Sequence, residues 1–449
     1  MLTQYGGYPA FDVMYDMGGH LVDPMAETDA ATYFGTGDGK NITDIIVISH
    51  GWNNDISEAH TLYQNFFNAF APVPDALRNK GGRKFGVVAL FWPSKRFADS
   101  DLIPGGAAGL VDPAATQVLA QLDLFEDMFA HDPAIDAKIA HLKSIVPILN
   151  ISANAQDDYV STLTSMVPLP RYEADEGLDN ARQALNTVPG RVVLQNLATP
   201  FASPTAPLPG SGGAAGLVSG ITSAAATLGD LLTYYTMKDR AGIVGRTGAV
   251  GTLRALLKCR GASGRPRIHL AGHSFGGRLV TSAANALNGS SVTPPEFVDS
   301  MTLLEAAYSH NGLAKNWDGR GNDGAFRSVI TQVKVKGPII ISHSSHDFPV
   351  GTAYPIASRL RGQVGESLIG GPDDIYGGMG RNGAQHTPEI SQDVALAPTG
   401  STGSYPPAPT GSPCWGLNIR GDGPPPAPTI TGHGDVAKPE LATVMLNYI

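Results

Sequence analysis

Gly272-His273-Ser274-Phe275-Gly276 sets a serine between two glycines, each two residues away. A serine hydroxyl becomes a nucleophile when a base removes its proton and a third group orients that base. The chemistry this pentapeptide could carry is therefore acyl transfer, with Ser274 attacking a carbonyl carbon. The flanking pattern suits that use. Ile268 to Ala271 is a short apolar run, and Leu279, Val280, Ala283, Ala284 and Leu287 recur at helical spacing behind the serine. The spacing predicts a strand, a one-residue corner and a helix, which is the context a G-x-S-x-G match requires. At so sharp a corner the central residue is strained, and only glycine at 272 and 276 lets strand and helix pass closely. Ser274 then stands at a helix N-terminus, where backbone N–H groups and the dipole favour developing negative charge. The plainer reading, a glycine-rich turn that happens to contain serine, is outweighed by the strand and helix on either side.

This segment resembles the nucleophile elbow of the α/β-hydrolase superfamily, and the chain as a whole resembles an uncharacterised bacterial, esterase- or lipase-like serine hydrolase of that superfamily. The resemblance implies a mostly parallel central sheet flanked by helices. It also implies a chain order of serine, then acid, then histidine for the triad. Of the twelve histidines, His433 matches the base: it follows the last expected strand, lies between Gly432 and Gly434, and precedes the closing helix. His386 is the next candidate. His310, His343 and His346 fall nearer the acid position. Asp347 matches the acid, with Glu305, one strand earlier, as runner-up; Asp435 is too close to His433 in sequence to orient its far ring nitrogen. The same resemblance makes the His50-Gly51 pair the turn that precedes an oxyanion donor, so the backbone N–H groups of Trp52 and Phe275 form the expected oxyanion hole. His50, Gly51 and His273 are expected to border the substrate, with the His273 ring turned away from Ser274 by strand alternation.

The elements that must position these groups are legible in outline. Phe11 to Asp16 reads as a first edge strand. Asp44-Ile-Ile-Val-Ile-Ser49 is a β-branched run suited to a strand buried on both faces. Ala59, Leu62, Tyr63, Phe66 and Phe70 mark one face of a helix, and Phe85 to Trp92 is a further strand, which together imply a right-handed parallel crossover. Further strands are expected at Val298–Ala307, from Pro338 toward Asp347, and at Trp415–Ile419, with a closing helix over 439–449. The glycine-rich 365–383, with Asp373 and Asp374, and the Pro/Thr/Ser-rich 391–412 read as loops.

Between Ser94 and the elbow lies more chain than one crossover helix needs. Thr116–Met128, Ala134–Leu149 and Asp230–Lys258 have helical spacing, and Phe201–Gly220 reads as a Pro/Gly/Ala-rich connector. The expected organisation is a hydrolase core over 1–94 and 231–449 with 95–230 inserted as a cap.

Composition narrows the function. Forty acidic against 31 basic residues, a net charge of −9, leaves no basic face for nucleic acid. Two cysteines, Cys259 and Cys414, offer neither a disulfide framework nor metal-ligand spacing; whether they pair is open. Residues 1–10 lack the features of a signal peptide, and no stretch has the ~18 apolar residues of a membrane span, so a cytoplasmic location is expected unless a leader was trimmed. The resemblance implies no metal and no cofactor, and a small-molecule or polymeric ester as substrate. A serine peptidase or amidase uses the same triad, and a hydrolase-like binding protein without chemistry is the third possibility. Oligomeric state is not legible.

Overall fold

The computed structural model describes residues 2–94, 113–167, 185–198, 220–347, 377–409, 414–423 and 429–449. By internal contacts the chain divides into a unit of Met1–Ser94, Lys238–Val350 and Gly378–Ile449 and a second unit of Lys95–Met237 and Gly351–Gly377.

The first unit is an α/β structure built on one nine-stranded sheet. The strands are β1 (Leu2–Tyr5), β2 (Tyr8–Met14), β3 (Asp44–Ser49), β4 (Phe85–Phe91), β5 (Arg267–His273), β6 (Ser300–Leu304), β7 (Pro338–His343), β8 (Asp393–Ala395) and β9 (Trp415–Arg420). Their spatial order is β1-β2-β4-β3-β5-β6-β7-β9-β8. Only β1 runs antiparallel to its neighbour; all other pairings are parallel. Every residue of β3, β4, β6 and β7 is buried, as expected of parallel strands covered on both faces.

Strand alternation sends Ile46, Ile48, Val87, Ala89, Ala271, Ile340 and Leu417 to one face. There they share a core with Tyr63, Phe66 and Phe67 of helix Ile56–Asn68, with Phe70 just beyond it, and with Leu441, Val444 and Met445 of helix Pro439–Tyr448. Helix Ile56–Asn68 starts cleanly because Asp55 and Glu58 close a reciprocal capping box. The elbow helix Phe275–Asn285 contacts β3, β5 and β6. The chain passes from β3 to β4 on one side and returns to β5 on the other. The strand order therefore reverses at β3/β5, the position where open α/β sheets form a crevice beyond their carboxyl ends.

Several expectations are adjusted. A hairpin strand, β1, lies outside β2 and forms the edge. The strand expected over 298–307 is confined to Ser300–Leu304, because Glu305 takes a φ of 45° and turns out of the sheet. Within the stretch read as loop, Asp393–Ala395 is an edge strand paired with Asn418–Arg420. Three residues are too few for a periodic signal, and the pairing is made by backbone rather than side chain. Cys259 and Cys414 are free thiols, both buried. Residues 201–219, Asp373 and Asp374, and 410–412 lie outside the described residues.

The second unit, by itself, is helical. Helices Pro113–Met128, Pro133–Ile145, Ala153–Ser165 and Gly190–Ala198 bury Val118, Leu122, Phe125, Ile139, Leu142, Tyr159, Leu163, Val193 and Leu194. Asp132 and Ser152 cap two of these helices, and Lys143 lies 2.6 Å from Asp123 and 2.7 Å from Glu126. Helix Ile221–Ile243 begins in this unit and ends in the first. Among the described residues no helix is long and apolar enough to cross a membrane.

Candidate functional site

At the end of β5 the chain turns through Ser274, whose backbone sits at φ 56°, ψ −124°, a region L-residues avoid and that costs about 1–3 kcal/mol. The flanking glycines allow the turn. A Cβ at 276 would lie 2.3 Å from the Ser49 carbonyl oxygen, and one at 272 would lie 2.4 Å from that of Gly276. The corner is held in place by the Ser274 N–H, which donates to Leu304 O at 3.0 Å, and by the Ser274 carbonyl, which accepts from Ala307 N at 3.0 Å.

Three side chains from three places in the chain converge here. Ser274 Oγ is 2.7 Å from His433 Nε2, and His433 Nδ1 is 3.0 Å from Asp347 Oδ2. Asp347 follows β7 and is fully buried, its N–H bonded to Ser344 O at 3.0 Å. His433 lies in the loop between β9 and the last helix. That loop is closed by Asp435, whose carboxylate accepts from both the N–H and the hydroxyl of Thr431 at 2.9 Å; Asp435 shapes the turn that carries the imidazole. With Nδ1 protonated toward Asp347, Nε2 is the lone-pair nitrogen facing the serine hydroxyl. This arrangement can deprotonate Ser274 and hold the resulting imidazolium against a carboxylate.

Gly51 lies so close to the elbow that a Cβ there would be 2.7 Å from Ser274 Cβ. Trp52 follows it, and the Trp52 and Phe275 rings are 6.0 Å apart. The peptide between β3 and its helix is pinned to the segment just after β4: Asn53 N donates to Ser94 O at 2.9 Å, and Asn54 N donates to Ser94 Oγ at 3.3 Å. Phe275 and Trp92 are buried in the protein at 0% and 4% exposure.

Two of the residues expected to border a substrate have other partners. The His50 ring is 1% exposed and stacks on Trp92 at 5.7 Å. Its Nδ1–H donates to Gly51 O at 2.9 Å, and its Nε2 accepts from Trp92 N at 3.3 Å. His50 is a structural rivet between β3 and β4. His273 donates from Nε2 to the His433 carbonyl at 2.7 Å, and the two rings lie 5.0 Å apart. Strand alternation turns His273 from the hydroxyl and toward the loop of the base, which it buckles down. His386 bonds Asn311 at 2.9 Å and His343 bonds Asp393 at 3.2 Å, each through its ring. Among the described residues no cluster of three or more His, Cys, Asp or Glu is placed to hold a metal ion.

Sequence reasoning missed Gly380 and Arg381. They sit in a short helix, Met379–Asn382, whose backbone bonds Ala306 O and Ser344 N and so ties the ends of β6 and β7 together. Nothing in a glycine-rich stretch marks which glycine makes that approach.

Burial pushes the His50 imidazole down to about 4, and burial with the neighbouring His433 pushes His273 down to about 3, from an ordinary 6.5. The unfolded chain therefore binds protons that the folded one refuses. This stability is complete above pH ~6.5 and is lost as pH falls from there toward the folded values. Replacing His50 by Asn should make the slope of unfolding free energy against pH shallower by about 1.4 kcal/mol per unit between pH ~4.5 and ~6. Denaturant titrations at a series of pH values read this directly, and identical slopes would mean that His50 titrates normally.

Comparison with protein-family models, curated proteins and solved structures finds no match to this chain.

Proposed function

We propose that this protein is a serine hydrolase of carboxylic esters, built on the α/β-hydrolase plan and working through an acyl-enzyme. The observation that carries the reading is the unbroken relay from Ser274 Oγ through His433 to a fully buried Asp347, at 2.7 and 3.0 Å, on a serine held in a strained corner. Strain of this kind persists only where the surroundings over-determine it, and it concentrates at functional sites.

The steps follow from the geometry. His433 Nε2 takes the Ser274 proton as Oγ attacks the ester carbonyl. The oxyanion is received by the backbone N–H groups of Trp52 and Phe275, which are set before the reaction and reorganise little. His433 returns the proton to the departing alcohol, leaving an acyl-serine. Water, deprotonated by the same imidazole, attacks that acyl group, and the carboxylic acid leaves. Asp347 remains ionised throughout; it fixes the tautomer and stabilises the imidazolium.

The deciding experiment is a panel of p-nitrophenyl esters of increasing acyl length run beside peptide anilides. Ester turnover that falls by several orders of magnitude in Ser274→Ala is the expected result. Turnover of the anilides alone would move the protein to the amidases, and hydrolysis of neither would leave the reading without support.

A further inference from the structure

Behind the Asp347 carboxylate lies a second carboxyl group that the mechanism above does not use. Glu305 leaves the end of β6 at φ 45° and is completely buried. Ser342, opposite Leu304 on β7, holds it twice: the hydroxyl accepts from Glu305 N at 3.1 Å and donates to Glu305 Oε1 at 3.0 Å. That leaves Oε2, which meets no donor among the described residues, while the Glu305 side chain as a whole is within hydrogen-bonding reach of the Asp347 carboxyl group. Gly380 packs against the Asp347 carboxylate and the Glu305 backbone; a Cβ there would be 2.5 Å from Asp347 Oδ2 and 2.5 Å from the Glu305 carbonyl carbon. Two buried carboxyl groups within hydrogen-bonding reach of each other cannot both ionise without strong repulsion, and a shared proton relieves it.

We propose that Glu305 is held as a neutral carboxylic acid that donates its O–H to the Asp347 carboxylate, and that it is a positioning residue for the Ser274–His433–Asp347 relay. The relay's function rests on the serine-hydrolase reading; the proton does not. Burial first, and then the Asp347 charge, push the Glu305 carboxyl well above the usual carboxylate range, although the Ser342 hydroxyl works in the opposite direction. Asp422, beyond β9, adds to the upward push on Glu305. Arg381 acts on Asp347 and Asp422, and His433 faces Asp347 from the far side. One shared proton keeps the carboxyl pair at a single negative charge, matched to the single positive charge on the imidazolium. A second negative charge would hold that imidazolium too firmly and slow the return of its proton to the leaving group.

The proton is tested without any activity, in the Ser274→Ala background. A group whose folded pKa is raised above its unfolded value gives stability that is whole below the unfolded pKa and is lost as pH rises toward the folded one. Between pH ~6.5 and ~8 the folding equilibrium constant of this protein should fall about tenfold per unit relative to the same chain carrying Glu305→Gln. Parallel pH profiles overturn the proposal. If Glu305→Gln does not fold, carboxyl carbon NMR of glutamate-labelled protein decides. One glutamate should remain protonated at pH 7 even in Glu27→Gln, which removes another carboxyl that burial raises; a fully ionised set overturns it.

The positioning role is read separately, from ester turnover. Glu305→Ala should lower kcat about 10- to 100-fold, the cost of a lost bond to a charged group. Glu305→Gln should recover most of that loss, because its amide can donate to Asp347. Folded Ala and Gln variants with unchanged kcat would refute the positioning role while leaving the proton result standing. Undiminished turnover in Ser274→Ala would sink the hydrolase reading instead.

Discussion

Ser274→Ala is expected to abolish covalent labelling by a fluorophosphonate and to lower ester turnover about 10⁴- to 10⁶-fold, with the fold retained. The Cβ survives, so the contacts that shape the corner remain. What disappears is the oxygen 2.7 Å from His433 Nε2. Turnover should still exceed the uncatalysed rate, because the backbone donors at Trp52 and Phe275 are untouched by the change. Ser274→Gly gives the complementary result. Glycine takes φ 56°, ψ −124° without steric cost, so this variant should be inactive yet more stable by about 1 kcal/mol in denaturant melts. Undiminished labelling of the alanine variant would place the nucleophile elsewhere.

Asp347→Asn should reduce kcat on the order of 10⁴-fold. The carboxylate is fully buried and holds His433 by Nδ1 at 3.0 Å. An amide in the same place can present its NH₂ to the ring, which favours the tautomer with the proton on Nε2 and removes the base that faces Ser274. The lost charge also leaves the imidazolium uncompensated inside the protein. His386→Ala is the control: its ring bonds Asn311 rather than any member of the relay, and turnover should stay at the wild-type value. A measured ranking with His386 indispensable and Asp347 dispensable would exclude the relay as the working site.

The parts of this protein written in local sequence are those governed by local sterics and burial. Residues 45–48 and Phe85–Phe91 are continuous runs without a polar side chain because both faces of a parallel strand are covered. The elbow is readable because only hydrogen side chains at 272 and 276 fit where a Cβ would meet carbonyl oxygens at 2.3–2.4 Å. The amphipathic helix at Ile56–Asn68 is readable because its buried residues repeat with the helical period.

Other features depend on contacts between residues far apart in the chain, and no local pattern encodes those. His433 lies 159 residues from Ser274 and 86 from Asp347; choosing it among twelve histidines needed a resemblance in chain order, and only the folded loop shows its ring between the two. Asp347 and Glu305 are equally acidic in sequence. The tertiary structure separates them, because the turn after β7 aims one at the imidazole while the turn after β6, at positive φ, tucks the other behind it. The partners of the histidines beside the motifs are hidden in sequence for the same reason: residue type gives an imidazole's chemistry, whereas burial against Trp92 makes His50 a rivet and a bond to the His433 carbonyl makes His273 a buckle. Polar side chains carry no periodic signal of their partners; whether one faces solvent, substrate or another carboxyl is decided only when distant strands bring those partners within about 3 Å.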